Sequence, residues 1–150
     1  MTAISIEPAS EMDLDIVEAL LERERLPLDG LRRAGTVLVA RAGHRIIGSA
    51  ALEFYEEGAL LRSVAVDAEY RGGGVGGDLT RAALEAAMRR GVPAVYLLTT
   101  TAERFFPRFG FDIVDRVDVP ATVQTSAEFT HACPSSAIVM RKILVGPERS

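Results

Sequence analysis

The chain has 150 residues, which fits one domain able to bury roughly two-thirds of its unfolded surface. Apolar residues make up 48% and charged residues 25%, as in ordinary globular proteins, and no apolar run is long enough to span a bilayer. The net charge of −4, from 17 basic and 21 acidic residues, lacks the basic surplus of a nucleic-acid binder. The single cysteine, Cys133, excludes an internal disulfide, and the N-terminus shows no secretory pattern, so a cytoplasmic setting is expected.

Ala3–Glu7 alternates and is rich in β-formers, which predicts a first strand. Ser10 and Asp13 form a loose capping box for a helix carrying Met12, Ile16, Ala19 and Leu20 at helical spacing, ended by Pro27. Thr36–Arg41 and Arg45–Phe54 read as strands joined by Ala42-Gly43-His44, and Ala59–Val66 follows the turn Glu56-Glu57-Gly58. Asp67–Gly77 breaks the pattern with five glycines. The next helix runs to about Arg90 with a small-residue face of Leu79, Ala82, Ala83, Ala86 and Ala87, and stops at Gly91. Ala94–Thr99 is apolar enough for a strand buried on both faces. Thr101 is expected to cap a short helix through Arg108, followed by strand Phe111–Val114. An irregular stretch, Asp118–Pro134, precedes a last strand, Ser136–Leu144, and a frayed tail, Val145–Ser150. An early antiparallel meander followed by βαβ crossovers predicts an α/β fold with a mixed sheet, residues 1–150 forming one domain.

The sharpest feature is the loop Arg71-Gly72-Gly73-Gly74-Val75-Gly76-Gly77, with a strand in front and a helix behind. Glycines let the backbone turn with positive φ, successive amides can face one anion, and the helix start adds its dipole. A diphosphate is the natural guest, with Arg71 as a charge partner. Gly72, Gly74 and Gly77 also satisfy GxGxxG, but the required acidic residue about 20 positions on is missing and three strands precede the loop. No Gly-Lys-Ser/Thr is present for a P-loop.

Arg71-x-x-Gly74-x-Gly76 after Val64-Ala65-Val66 resembles the acetyl-CoA loop of the GCN5-related N-acetyltransferase (GNAT) superfamily, whose element order this chain shares from the first strand to Leu144. Ala102, Phe105 and Gly110-Phe111 match the family's second signature. Leu97-Leu98-Thr99-Thr100 and Phe105-Phe106 are similar to the acetyltransferase domain of N-acetylglutamate synthases. Asp118-Val119-Pro120, Ser126-Ala127-Glu128-Phe129, Cys133-Pro134 and Ser136-Ala137-Ile138-Val139-Met140 are similar to a small branch labelled arsenic-resistance N-acetyltransferases.

This resemblance implies a mostly antiparallel mixed sheet splayed between its fourth and fifth strands, with helices on both faces. It implies acetyl-CoA as acetyl donor, held by Val64, Ala65, Val66, Arg71, Gly72, Gly73, Gly74, Val75, Gly76 and Gly77, and further on by Thr99, Arg104, Phe105 and Phe106. The backbones of Val64 and Val66 would bind the pantetheine, and the Val66 N–H would face the thioester oxygen. Two positions depart from the pattern: Thr99 replaces the usual Asn, and Phe106 stands where many members carry the tyrosine that protonates the leaving thiolate. A thiol of pKa about 8.5 can leave unaided near neutral pH.

For the acceptor, strand alternation puts Arg62 on the face of Val64 and Val66, where it meets either an anionic group of a small amino-acid-like amine or Glu53 or Glu56 in a salt bridge. The anionic group could be a carboxylate, phosphinate or arsinate. The candidate bases are Glu53, Glu56, Glu103 and His131, with His44 in an exposed turn. Cys133 lacks the partners of a catalytic thiol and reads as packing, and no metal-ligand spacing occurs. A catalytically weak acyl-CoA-binding module and a protein or peptide N-acetyltransferase are the rival readings. The last strands also offer a surface for a homodimer.

Overall fold

The computed structural model describes residues 3–144. The tail expected to fray, 145–150, lies outside the described residues. Seven strands form one sheet in the order β1-β2-β3-β4-β5-β7-β6. They are β1 (Ile4–Pro8), β2 (Thr36–Ala42), β3 (Arg45–Tyr55), β4 (Gly58–Val66), β5 (Ala94–Thr99), β6 (Asp112–Val114) and β7 (Ile138–Ile143). All neighbours pair antiparallel except β4 and β5. The last strand is flanked on both sides, so the free edge at that end is the three-residue β6 rather than β7.

Helices cover both faces. α1 (Asp13–Arg23) lays Val17, Leu20 and Leu21 on one face with Val39, Ile46, Ala51 and Ala65. Met12 and Ile16, expected on the helix's apolar stripe, are instead 83% and 50% exposed. Asp13 is the residue that turns inward. Its carboxylate accepts from the Ser10 N–H at 2.8 Å and pairs with Arg41 at 2.6 Å, while the Ser10 hydroxyl caps the Asp13 N–H at 3.3 Å. These bonds fix the rotation of the helix. α2 (Val75–Arg90) buries Leu79, Ala83, Leu84 and Ala87 on the opposite face, together with Leu52, Leu61, Leu97 and Phe111. A third apolar group, Leu60, Tyr96, Val119, Val123 and Val139, seats the short α3 (Ala121–Gln124). No helix among the described residues is long and apolar enough to cross a membrane.

Two irregularities shape the sheet. β4 and β5 pair only at Ala59↔Val95 and Leu60↔Tyr96; beyond these the strands diverge. On its other side β4 shifts register against β3, between the pairs Ser49↔Ala65 and Ala51↔Arg62. Ser63 and Val64 therefore oppose Ala50 alone, and Ser63 takes the left-handed conformation at φ 59°. This bulge reverses the facing of the side chains that follow. Arg62 and Ala65 lie on the α1 side, whereas Leu61, Val64 and Val66 pack with the α2 side. Strict alternation had put Arg62 beside Val64 and Val66, and the bulge is the reason it is not.

Candidate active site

The diverging ends of β4 and β5 open a cleft of about 1020 Å³. Its walls are Leu61–Val66, Leu97–Ala102, the start of α2, the Glu24–Pro27 loop, and the Glu128–Pro134 segment at one end. Asp67 N–H donates to the Ile47 carbonyl on β3 at 2.7 Å. Peptide groups alternate in direction along a strand, so the N–H and C=O of Val66, and of Val64 two residues earlier, point into the cleft. The Val66 carbonyl receives Arg71 Nε at 3.3 Å.

Beyond the C-terminal end of β4 the glycine loop turns into α2. Gly74 stands at φ 89°, a conformation that costs a side-chain-bearing residue about 1–2 kcal/mol, and from there the helix begins. The first helical bond runs from Asp78 N–H to Gly74 C=O at 3.0 Å, which leaves the amides of Val75, Gly76 and Gly77 free of intrahelical partners. Gly76 serves close approach: a Cβ there would stand 3.4 Å from Phe105 and 3.5 Å from Val66. Arg71 pairs with Glu24 across the cleft. Arg81 lies over the Phe109 ring at 5.2 Å and pairs with Asp78 at 3.3 Å.

Most of the expected cofactor residues line this cleft: Val64, Ala65, Val66, Arg71, Gly72, Gly74, Val75, Gly76, Gly77, Thr99, Phe105 and Phe106. Gly73 and Arg104 do not; Arg104 is exposed outside the wall, and Arg108, one helical turn on, stands in it. Phe106 is buried against Phe105 and Phe111 at ring separations of 5.0 and 5.8 Å. Thr99, not Thr101, is the cap after β5: its hydroxyl accepts from the Ala102 N–H at 2.8 Å and the Thr101 N–H at 3.4 Å. Thr99→Val should lower stability by about 1 kcal/mol through loss of that cap. An unchanged urea midpoint would show that the hydroxyl caps nothing.

Arg62 is not free for a ligand. Its guanidinium donates to Glu53 at 2.8 Å, to Ser63 Oγ at 3.0 Å, and to the carbonyls of Pro27 and Asp29, with Glu128 at 3.6 Å. Tyr55 donates its hydroxyl to the other oxygen of Glu53. The salt bridge to Glu53, rather than the open cation, is the state of this arginine. The candidate bases fare poorly too. Glu56, Glu103 and His44 are exposed, His131 pairs with Asp29 at 3.2 Å, and none of them lines the cleft.

Among the cleft-lining residues not picked out for it from the sequence are Glu128 and Cys133. Glu128, on a wide helical turn Glu128–Ala132, is buried, and burial pushes its carboxyl up to about 7 against the opposing pull of Arg62. Cys133 faces Glu128, and burial followed by that carboxylate pushes its thiol up to about 12. The thiol stays protonated at neutral pH, which removes it as a nucleophile. The Ser126–Phe129 match to the arsenic-labelled branch was the signal that could have drawn attention to Glu128.

The site is thus a mixed sheet opened between two parallel strands, with free amides and an arginine-glycine turn at one end of the opening. The chain belongs to the acetyltransferase (GNAT) domain family, whose model matches residues 33–113. It is 36% identical over 81 residues to an amino-acid acetyltransferase from Aeromonas salmonicida (strain A449), covering 53% of this chain and 18% of that protein. In structure it is similar to N-acetylglutamate synthase from Neisseria gonorrhoeae complexed with coenzyme A and N-acetyl-glutamate, with a TM-score of 0.82, 19% identity, and coverage of 97% of this chain and 36% of the synthase. It is also similar to Rv2747 from Mycobacterium tuberculosis in complex with CoA, with a TM-score of 0.80, 23% identity, and coverage of 94% and 99%. This chain therefore spans under a fifth of the amino-acid acetyltransferase and about a third of the synthase.

Proposed function

We propose that this chain is an N-acetyltransferase that moves the acetyl group of acetyl-CoA to the primary amine of a small amino-acid-like acceptor by direct attack. The observation that carries the reading is the β4–β5 opening, with the cleft-facing peptides of Val64 and Val66 along it and the free amides of Val75, Gly76 and Gly77 at its end. Those three amides and Arg71 suit a diphosphate, and Arg81 and Arg108 add charge around it. Arg71 would exchange Glu24 for a phosphate oxygen. The Val64 and Val66 N–H groups suit the pantetheine and the thioester oxygen. With the diphosphate on the loop beyond Val66, the thioester lies further along β4, so Val64 is the better oxyanion donor than the Val66 first expected. Acetyl-CoA supplies an activated acyl carbon and a leaving thiolate stable enough near neutral pH to need no tyrosine at position 106. Holding donor and acceptor in one cleft supplies much of the acceleration, up to about 7–11 kcal/mol.

The relatives named above suit an acceptor built like an amino acid, and the Glu24–Pro27 and Glu128–Pro134 walls suit a small molecule better than a peptide. An acidic acceptor, including an arsenical or phosphinic amino acid, would meet Arg25 rather than Arg62. Arg25 is exposed on the cleft wall and has no ion pair among the described residues. A cytoplasmic setting, which keeps a lone thiol reduced, fits this reading. The rival, a binding module without turnover, rests on Phe106 alone. Incubation with acetyl-CoA and a panel of glutamate, aspartate, arginine, phosphinothricin, an arsenical amino acid, polyamines and a lysine peptide separates the two. Thiol release with an amino-acid analogue is the expected result. Tight acetyl-CoA binding with silence across the panel would favour the module.

A further inference from the structure

We infer that Glu128 is the general base that takes the proton from the acceptor amine. This assignment rests on the acetyl-transfer reading above and gives its missing proton acceptor a residue.

Three carboxylates stand in the cleft wall among the described residues: Glu24, Asp78 and Glu128. Glu24 pairs with Arg71 and Asp78 with Arg81, both at the glycine-loop end. Glu128 stands at the other end, beside the bulge of β4. Arg62 Nε links the two: it lies 3.0 Å from Ser63 Oγ and 3.6 Å from Glu128 Oε2. The carboxylate is thus one side chain away from the strand position where the thioester lies. A proton acceptor must reach the reacting nitrogen directly or through one water, and Glu128 is the cleft carboxylate that lies on that side of the opening.

The surroundings keep the carboxylate basic. The full ion pair of Arg62 is with Glu53 at 2.8 Å, and the carbonyls of Asp29 and Pro27 occupy other N–H groups of the guanidinium. Glu128 receives only the longer contact. The charged and titratable groups around it are Arg62 on β4, Glu53 on β3, Asp29 from the loop after α1, and Cys133 at the end of its own turn. His131, on the same turn, reaches Asp29. Burial raises the Glu128 carboxyl to about 7, within the range where a base is both ionised and effective at neutral pH. The proton count closes simply. Glu128 first takes one proton of the bound ammonium and passes it to solvent, which frees the nitrogen lone pair to form the C–N bond; as the C–S bond breaks, the second nitrogen proton goes to the departing sulfur and leaves as the S–H of coenzyme A.

Glu128→Gln tests the assignment in the folded protein. Turnover of the best amine should fall about 100-fold with acetyl-CoA affinity unchanged, and the acid limb of the kcat/KM profile near pH 7 should disappear. A second readout needs no turnover. A carboxyl raised from 4.5 to about 7 in the folded state stabilises the fold below 4.5, and that stability is lost as pH rises through 7. Wild type should therefore lose stability relative to Glu128→Gln between these values. Full turnover in Glu128→Gln, or a stability difference flat across that window, overturns the assignment. Wild type silent on every amine overturns the acetyl-transfer reading and this role with it. Turnover that survives Glu128→Gln overturns this role alone. If the glutamine variant does not fold, Glu128→Asp keeps the charge and draws it back by one methylene; it should lose turnover while retaining the acid limb.

Discussion

Arg62→Met is expected to lower the unfolding free energy by about 3–5 kcal/mol. The guanidinium is fully enclosed and holds two buried carboxylates, Glu53 at 2.8 Å and Glu128 at 3.6 Å. A methionine fills much of the same volume but leaves both carboxylates without a cation and strands the carbonyls of Pro27 and Asp29. The loss should shrink at pH 5, because carboxylates without their partner can protonate instead of staying charged. Urea unfolding at pH 8 and pH 5 measures both effects. A midpoint that does not move would mean that the network contributes little. A selective rise in acceptor KM at undiminished stability would return Arg62 to the substrate-binding part that its sequence position first suggested.

An ester in place of the peptide N–H of Val64, introduced as the α-hydroxy analogue of valine, should cut kcat by about 100- to 1,000-fold. The substitution keeps the side chain and replaces the N–H donor with an ester oxygen. No sheet bond is sacrificed, because this N–H faces the cleft and not β3. The same change at Val66 should be milder and fall mainly on the KM for acetyl-CoA. The reverse ranking would make Val66 the oxyanion donor. Equal and negligible effects at both positions would remove the strand backbone from the chemistry.

The two variants probe opposite sides of one irregularity. Ser63 at φ 59° inserts an extra residue into β4, sending Arg62 toward α1 and keeping Val64 and Val66 on the α2 side. An uninterrupted strand would have put the arginine on the face of Val64 and Val66. The bulge also lies where β4 leaves β5, so the geometry that opens the cleft is the geometry that places Glu128 beside it.

Much of the architecture was legible in the sequence because it rests on local patterns. Turn residues between apolar runs marked β2 to β4, the Gly91 stop and small-residue face marked α2, and the Arg71–Gly77 run marked the glycine turn before α2. Each of these is written within a few residues of where it acts. The family's motifs carried the residues expected to hold the donor for the same reason, and all of them but Gly73 and Arg104 line the cleft. What failed was whatever depends on partners far apart in the chain. The rotation of α1 was set by Arg41 holding Asp13, 28 residues away, and the apolar spacing of Met12 and Ile16 carried no trace of it. The bulge at Ser63 has no signature in Leu60-Leu61-Arg62-Ser63-Val64, since serine is an ordinary strand residue and the register shift exists only against β3. The character of Glu128 was still less visible. A glutamate in an irregular segment reads as solvated, and only burial against Arg62, which precedes it by more than sixty residues, makes it a carboxylate that titrates near neutrality. The sequence by itself determined the strands, the helices and the loop that suits a phosphate, because backbone propensity and glycine are local. The tertiary structure alone decided which charges are buried together, because desolvation and ion pairing belong to the assembled cleft.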